Sequence, residues 1–213
     1  MSTTYDTNQL LERSAGVAAA ASAARRGDLV VLPTESVYGL GTDAFSREGV
    51  AKLLAAKGRG RDLPLPVLVP GPATVDGLAM ALPQAGRDLI SAFWPGGLTV
   101  VVRHHPSLAW DLGDTAGNVA LRMPLHPVAL EVLRETGPLA LTSANRAGLP
   151  APTTCAEAEA QLGDVVRIYL DAGPCPEQAA STVVDLTGAV PRLLRAGSLS
   201  EDLLREVCPD LQA

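Results

Sequence analysis

The chain has 213 residues, of which 47% are hydrophobic and 19% charged, values typical of a protein that buries a core. Its net charge of -6 argues against a broad nucleic-acid-binding surface, because such domains are usually basic. No stretch approaches the roughly 18 uninterrupted apolar residues of a membrane helix, and the polar N-terminus is unlike a secretion signal, so we expect a cytoplasmic protein.

The residue types narrow the possible site chemistry further. Cys155, Cys175 and Cys208 are odd in number and far apart, which argues against a disulfide framework and against a thiolate zinc site. Arginine supplies 15 of the 17 positive residues, since only Lys52 and Lys57 are lysines. An arginine at a single position is therefore weak evidence of function.

Short β-branched runs alternate with helical stretches along the chain. A helix is predicted over residues 9–26, ended by Gly27, and a buried strand over 28–33. Ser46 is the predicted N-cap of a second helix over 47–57, which Gly58 would end. Further strands are predicted over 65–69, 98–103, 119–123, 139–142, 166–171, 182–186 and 192–195, and further helices over about 84–92, 126–136, 154–162 and 199–207.

The order of these elements predicts an α/β protein with α+β character. Strands 166–171, 182–186 and 192–195 follow one another without room for a crossover helix. A mixed, twisted open sheet flanked by helices is the expected architecture. No repeat, linker or change of composition marks a boundary, so we expect a single domain over residues 1–213.

Standard nucleotide and hydrolase signatures are absent from the sequence. There is no G-x-x-x-x-G-K-[ST] and no G-x-S-x-G. GRGRDL at 58–63 ends in Leu63 and follows a predicted helix, which excludes the dinucleotide-binding fingerprint. His104, His105 and His126 lack metal-ligand spacing with carboxylates, so structural or exposed positions are expected for them.

The segment AAKGRG at 55–60 ends the second predicted helix. Lys57 follows Val50 by seven residues and so falls on the same inward face of that helix. Two interpretations stay open: a lysine in the last turn favourable to the helix dipole, or an ammonium aimed at a cavity together with Arg59. A point charge beside a planar guanidinium would suit a polyphosphate.

Two further segments place polar groups after apolar strands, where open sheets bind ligands. LPTESVYGLGTDA at 32–44 brings hydroxyls and Tyr38, and LALTSANRAGLPAPTT at 139–154 brings Thr142, Ser143 and Asn145. A structural turn is the favoured interpretation of the first segment taken alone, and also of FWPGG at 93–97. Arg122, Ser181 and Arg195 lie at or beside predicted strand ends, where they could meet an anion.

Seven segments, taken together and in chain order, closely resemble the YrdC/Sua5 family over about residues 15–200. They are PTESVYGLG, K-G-R with a following Pro-Leu, FWPGGLT, VALRMP, TSAN, STVVD and LLRAG. The family signature K-x-R with S-x-N corresponds here to Lys57-Arg59 and Ser143-Asn145. Members of this family make L-threonylcarbamoyladenylate for the N6-threonylcarbamoyladenosine modification of tRNA. The chain is similar to the short form of the family, without the C-terminal Sua5 domain.

The resemblance implies a sheet around a positively charged cavity that holds ATP and threonine. Lys57 and Arg59 would act catalytically on the triphosphate. The residues implied to contact ATP are Lys57, Arg59, Ser143, Asn145, Ala151, Ser181 and Arg195. Those implied around threonine are Thr34, Arg122 and Thr142, with Arg122 as the partner of the carboxylate. No metal ligand from the protein is implied, since Mg2+ would arrive bound to ATP.

Three positions depart from the family pattern. Leu63 and Leu68 stand where relatives often carry Asn and His, with Pro66 inserted between them, and Ala180 replaces a common Glu. The two leucines remove polar groups that relatives could use toward nucleotide and threonine.

The resemblance also implies a mechanism and partners. Threonine and bicarbonate or CO2 would form a carbamate that attacks the α-phosphorus of ATP, releasing pyrophosphate, without a protein nucleophile or general base. A separate transferase would pass the product to tRNA, and no direct nucleic-acid footprint is expected. The alternatives that stay open are an RNA-binding module, a YciO-like relative of unsettled substrate, and a carbamoyl-adenylate enzyme akin to hydrogenase-maturation carbamoyltransferases.

Overall fold

The computed structural model of the chain describes residues 1–176 and 179–213. Within these residues, ten strands form one open mixed sheet in the order β1-β8-β2-β3-β7-β4-β6-β5-β9-β10. The strands are β1 (Thr3–Asp6), β2 (Val30–Leu32), β3 (Gly39–Asp43), β4 (Val67–Leu68), β5 (Leu98–Arg103), β6 (Asn118–Arg122), β7 (Leu139–Ser143), β8 (Ile168–Asp171), β9 (Thr182–Asp185) and β10 (Arg192–Arg195). The helices are α1 (Leu10–Arg25), α2 (Arg47–Lys57), α3 (Ala73–Leu78), α4 (Gln84–Phe93), α5 (Pro127–Thr136), α6 (Cys155–Leu162) and α7 (Glu201–Val207).

The sheet combines parallel and antiparallel pairs, as the sequence predicts. Strand β8 pairs in parallel with β1 and β2, β4 with β6, and β5 with β9. The pairs β2–β3, β3–β7, β4–β7, β5–β6 and β9–β10 are antiparallel. The α/β class and the mixed open sheet flanked by helices are thereby confirmed.

The two faces of the sheet are covered unequally. Helices α2, α3, α4, α6 and α7 pack their apolar residues into one large core on the first face. Helices α1 and α5 form a second core against β8, β2, β7 and β4 on the opposite face. On that opposite face, Thr99 of β5, Ala120 of β6 and Val183 of β9 line a cavity. The incomplete cover of the second face therefore leaves room for a site.

Local sequence signals set the ends of α2 as predicted. The Ser46 hydroxyl accepts a hydrogen bond from the Gly49 amide at 3.1 Å and so caps the first turn. Gly58 adopts a left-handed conformation with φ +64°, which ends the helix. Lys57, the last residue of α2, is consequently buried in the same register as Val50 and Leu53.

Residues 39–43, for which no strand is predicted, form strand β3. Its two glycines make room for β7, since a Cβ on Gly39 would lie 2.7 Å from the Leu141 Cδ2 atom. The structure also adds the short elements β1 and α3, which the sequence pattern does not predict. None of the described helices combines the length and the hydropathy needed to cross a bilayer.

Candidate active site

A cavity of about 570 Å³ opens on the incompletely covered face of the sheet. This volume lies in the usual range for small-molecule sites, roughly 300–1,000 Å³. Eight of the ten predicted site residues line it: Thr34, Arg59, Arg122, Thr142, Ser143, Ala151, Ser181 and Arg195. The structure thus brings together residues that are spread over most of the chain.

The alternation of strand residues explains how these side chains meet. Residues two apart on a strand point to the same face of a sheet. Strands β6 and β7 accordingly contribute to the cavity through residues at this spacing: Ala120 and Arg122, and Leu141 and Ser143. The same spacing relates Leu68 of β4 to the preceding Pro66, and Val183 of β9 to the preceding Ser181. The floor of the cavity is therefore built by strands, and its polar groups lie mainly at strand ends.

Lys57 and Asn145, the other two predicted residues, lie behind the cavity wall. The Lys57 ammonium donates to the Ser143 carbonyl oxygen at 2.8 Å, to the Ser143 Oγ at 3.3 Å and to the Asn145 Oδ1 at 2.7 Å. These three contacts match its three donors. Burial, with a smaller contribution from the neighbouring Arg59 charge, lowers the pKa of Lys57 to about 8. Lys57 thus anchors the polar end of β7 from inside the protein.

Asn145 extends this anchor into the loop that carries Ala151. Its amide nitrogen donates to the Leu149 carbonyl oxygen at 2.6 Å and to the Arg146 carbonyl oxygen at 3.1 Å. The backbone amide of Ala147 in the same loop donates to the Lys57 carbonyl oxygen at 2.8 Å. The K-x-R and S-x-N segments are therefore joined by direct hydrogen bonds.

Arg59 is the cation of the loop after α2 that enters the cavity. Its Nη1 approaches the Thr142 hydroxyl at 3.4 Å and its Nη2 the Pro64 carbonyl oxygen at 3.5 Å, both at the long limit of a hydrogen bond. Its Nε is buried without a hydrogen-bond partner among the described residues. Burial lowers the pKa of Arg59, although the nearby Asp62 charge opposes that effect. A half-buried guanidinium with spare donors is suited to an anionic ligand.

Arg122 at the end of β6 is held much more firmly. Its Nε donates to the Gly96 carbonyl oxygen at 3.0 Å, and its Nη2 donates to the Glu35 Oε1 atom. Glu35 also accepts a hydrogen bond from the Leu125 amide at 3.3 Å. Glu35 is not among the residues predicted from the sequence. The usable signal was a charged residue next to Thr34, shortly after a buried strand.

Ser181, directly before β9, and Arg195, the last residue of β10, form another part of the cavity wall. The Arg195 guanidinium donates to the Ser181 carbonyl oxygen at 2.8 and 3.0 Å and to its hydroxyl at 2.9 Å. That hydroxyl also lies 2.8 Å from the Thr99 hydroxyl. The Arg195 side chain is thereby directed along the mouth of the cavity while remaining solvent-exposed.

Thr34 faces the cavity, whereas Tyr38 from the same segment does not. The Thr34 hydroxyl donates to the Val37 carbonyl oxygen at 2.6 Å and closes a tight turn. Tyr38 is fully buried, and its hydroxyl donates to the Gly173 carbonyl oxygen at 2.6 Å. The Tyr38 hydroxyl fastens the loop after β8, so at this position the structural interpretation of the segment applies rather than a ligand contact.

The positions that depart from the family pattern occupy different environments. Leu68 lines the cavity and also belongs to the core beneath α1 and α5, and Ala180 lines the cavity as well. Leu63 is exposed. Arg61 lies on the surface, where it pairs with Asp111 at 2.6 Å. The three cations of the segment 57–61 therefore have different surroundings: Lys57 is bonded to the end of β7, Arg59 lines the cavity, and Arg61 forms a surface ion pair.

Metal-binding groups are not gathered at this site. Within residues 1–176 and 179–213 there is no cluster of three or more histidine, cysteine or acidic side chains that could hold a metal ion.

Comparison with known proteins identifies the family. The Sua5/YciO/YrdC family model, described as "Telomere recombination", matches residues 22–197. The chain belongs to the Sua5/YciO/YrdC family. It is 55% identical to a Mycobacterium tuberculosis protein named "Putative threonylcarbamoyl-AMP synthase", over 97% of this chain and 95% of the relative. It is 36% identical to the Bacillus subtilis protein named threonylcarbamoyl-AMP synthase, over 94% of this chain and 59% of that relative.

Two solved structures of Pyrococcus abyssi Sua5 share this fold. A two-residue variant of that protein superposes with a TM-score of 0.94 and 32% identity, covering 100% of this chain and 62% of that one. The complex of P. abyssi Sua5 with L-threonine gives a TM-score of 0.87 and 34% identity, covering 92% of this chain and 58% of that one. The chain therefore spans about three fifths of the length of these Sua5 structures.

Proposed function

We propose that this chain is a threonylcarbamoyl-AMP synthase, a nucleotidyltransferase that joins L-threonine, bicarbonate or CO2, and ATP with release of pyrophosphate. The observation that carries the proposal is the assembly, in one cavity, of eight of the ten residues that the family resemblance implies. The names of the relatives and the threonine complex of P. abyssi Sua5 support the same substrate class.

The distribution of charge along the cavity supports the assignment of substrates to its parts. Arg59 lies beside Thr142 of β7, Arg122 lies at the end of β6, and Arg195 lies on β10. In the order of the sheet, Arg122 is thus placed between the two other arginines. We assign the nucleotide to Arg59, Ser143, Ala151, Ser181 and Arg195, with Lys57 and Asn145 supporting them from behind the wall.

The remaining cavity residues suit an amino acid. Arg122 is the natural partner of its carboxylate, because a guanidinium can donate two parallel hydrogen bonds to a planar anion. Thr34 and Thr142 add hydroxyl groups beside it. The apolar side chain of Leu68 on the cavity floor fills space without a polar contact.

The proposed reaction needs positioning and charge neutralisation more than a protein nucleophile. The threonine amine and bicarbonate would form a carbamate with loss of water, and a carbamate oxygen would attack the α-phosphorus as the bond to pyrophosphate breaks. Arg59 and Arg195 would stabilise the charge on the phosphates, with ATP entering as its Mg2+ complex. Holding the reactants together can contribute roughly 7–11 kcal/mol in favourable cases.

The product is a reactive mixed anhydride, so we also propose that a separate transferase consumes it in the modification of tRNA. This part of the proposal rests on the family resemblance. The net charge of -6 provides no general electrostatic attraction for tRNA on this chain itself.

Pyrophosphate release from ATP tests the proposal when threonine and bicarbonate are omitted in turn. We expect release only when both are present. Activity without threonine would point to carbamoyl-adenylate chemistry instead. No activity, combined with tight and salt-sensitive RNA binding, would contradict the synthase and favour an RNA-binding module.

A further inference from the structure

Glu35 is a buried carboxylate at the edge of the cavity to which the proposed reaction gives no role. Only 5% of the residue is exposed. Its Oε1 atom accepts a hydrogen bond from Arg122 Nη2, and its Oε2 atom accepts one from the Leu125 amide at 3.3 Å. Both carboxylate oxygens are thus engaged, and the side chain faces Arg122 rather than the cavity.

Glu35 is one of two groups that fix the Arg122 guanidinium. The other is the Gly96 carbonyl oxygen, which accepts from Arg122 Nε at 3.0 Å, while the Gly96 amide donates to the Met123 carbonyl oxygen at 2.9 Å. Three chain segments therefore converge on one side chain: the turn after β2, the turn before β5 and the loop after β6. The Nη1 group has no hydrogen-bond partner among the described residues, and Arg122 lines the cavity.

The charge of Glu35 matters as much as its geometry. A buried cation without a counter-ion is costly, and a paired carboxylate offsets that cost. The same carboxylate cancels the net charge of Arg122, whereas Arg59 forms no ion pair within the described residues. A triphosphate is attracted mainly by uncompensated charge, but a single carboxylate can be recognised through oriented donors.

We propose that Glu35 is a positioning residue that makes Arg122 selective for the carboxylate of the amino-acid substrate over the phosphates of the nucleotide. It does so by fixing the guanidinium plane and by cancelling its net charge. This inference rests on the proposed function, because it names the residue that sets the specificity of the same site.

Substitution of Glu35 should change the KM for threonine without changing the KM for ATP. Glu35→Gln keeps one acceptor oxygen and removes the charge that balances Arg122. Its NH2 group would face a donor, either the Arg122 guanidinium or the Leu125 amide, so one of the two hydrogen bonds is lost. We expect the KM for threonine to rise about tenfold or more, with the KM for ATP unchanged within about twofold. Glu35→Ala should raise the threonine KM at least as much. Glu131→Gln, which weakens the Arg13–Glu131 ion pair on α1 and α5, is the matched control and should change neither KM.

The orientation of Arg122 can be tested without any substrate. In protein labelled with 15N-arginine, the Arg122 Nε–H signal, identified by its loss in Arg122→Lys, should exchange slowly with solvent because it is bonded to Gly96. We expect faster exchange in Glu35→Gln and Glu35→Ala, and no change in Glu131→Gln.

The outcomes distinguish this inference from the proposed function. An equal rise of both KM values, or an unchanged threonine KM, would show a merely structural role for Glu35. If the wild-type chain releases no pyrophosphate in response to threonine, the proposed function fails. The exchange experiment alone then decides whether Glu35 positions Arg122. Unchanged Arg122 Nε–H exchange in both folded Glu35 variants would then overturn the positioning role.

Discussion

Two arginines that reach the cavity from neighbouring regions differ in what surrounds them. Arg59, in the loop after α2, forms no ion pair among the described residues and keeps a buried Nε without a partner. Arg122, at the end of β6, is paired with Glu35 and bonded to Gly96. Arg59, assigned to the phosphates, is therefore an unpaired guanidinium, whereas Arg122, assigned to a carboxylate, is an oriented donor whose charge is balanced by Glu35.

The largest effect is expected for Arg59→Ala. Removing the unpaired guanidinium takes away charge stabilisation of the phosphates, so kcat/KM for ATP should fall about 100-fold or more. The free energy of unfolding should change by less than about 1 kcal/mol, because no ion pair is broken. Steady-state pyrophosphate release and urea denaturation measure the two quantities. Wild-type kcat/KM in this variant would contradict the assignment of Arg59.

A smaller and more selective effect is expected for Arg122→Lys. Lysine keeps the charge but cannot bond Glu35, Gly96 and a substrate carboxylate in one plane. The KM for threonine should rise about tenfold while the KM for ATP stays within about twofold. Kinetics with each substrate varied in turn provide the measurement. An equal rise in the KM for ATP would place the nucleotide on Arg122 and remove the distinction between Arg59 and Arg122.

Lys57 gives a prediction on stability against pH. Its pKa is about 8 in the folded protein and 10.5 in its ordinary state, so between these values the unfolded chain binds more protons. The contribution of Lys57 to the free energy of unfolding therefore rises by roughly 1–3 kcal/mol as pH increases from about 8 to about 10. Lys57→Met should lack this increment.

Urea denaturation at pH 7.5 and pH 10, as chosen test conditions on either side of the Lys57 transition, checks the prediction in wild type and variant. Lys52→Met is the matched control, because Lys52 is the other lysine of the chain and its ammonium pairs with Glu48 on the surface of α2. The same pH increment in Lys57→Met as in wild type would mean that Lys57 is not desolvated.

The smallest effect is expected for Arg61→Ala. Arg61 is exposed and pairs with Asp111 and Asp114 on the surface, where solvent screens the charges and such pairs contribute little to stability. Activity should stay within about twofold of wild type. A loss comparable to that of Arg59→Ala would show that the whole loop, rather than one guanidinium, determines nucleotide binding.

The sequence was sufficient for most of the fold, because long elements carry clear periodic signals. The bounds of α2 and of β5 match their predictions, since α2 has a polar cap and a glycine stop and β5 is a continuous β-branched run. Strand β3 was hidden because Gly39 and Gly41, which resemble turn residues, leave space for Leu141 of a distant strand. Strand β1 is only four residues long and mostly polar, so it carries no usable pattern.

The site residues were predicted from motifs rather than from geometry, so the contacts between them could not be predicted. The helical register correctly placed Lys57 inward, but it could not show that Ser143 and Asn145 accept all its donors. Glu35 was missed because its partner Arg122 is 87 residues away, and only the folded chain brings the two together. Pairings across strands depend on sheet order, which local patterns do not contain.

The most direct test of the proposed synthesis uses 13C-labelled bicarbonate with L-threonine and ATP, followed by rapid quenching and mass spectrometry. The proposal predicts threonylcarbamoyl-AMP that gains the mass of one 13C, requires threonine, and falls sharply in the Arg59→Ala variant. Pyrophosphate released without a labelled adenylate, or a labelled product formed equally well by that variant, would contradict it.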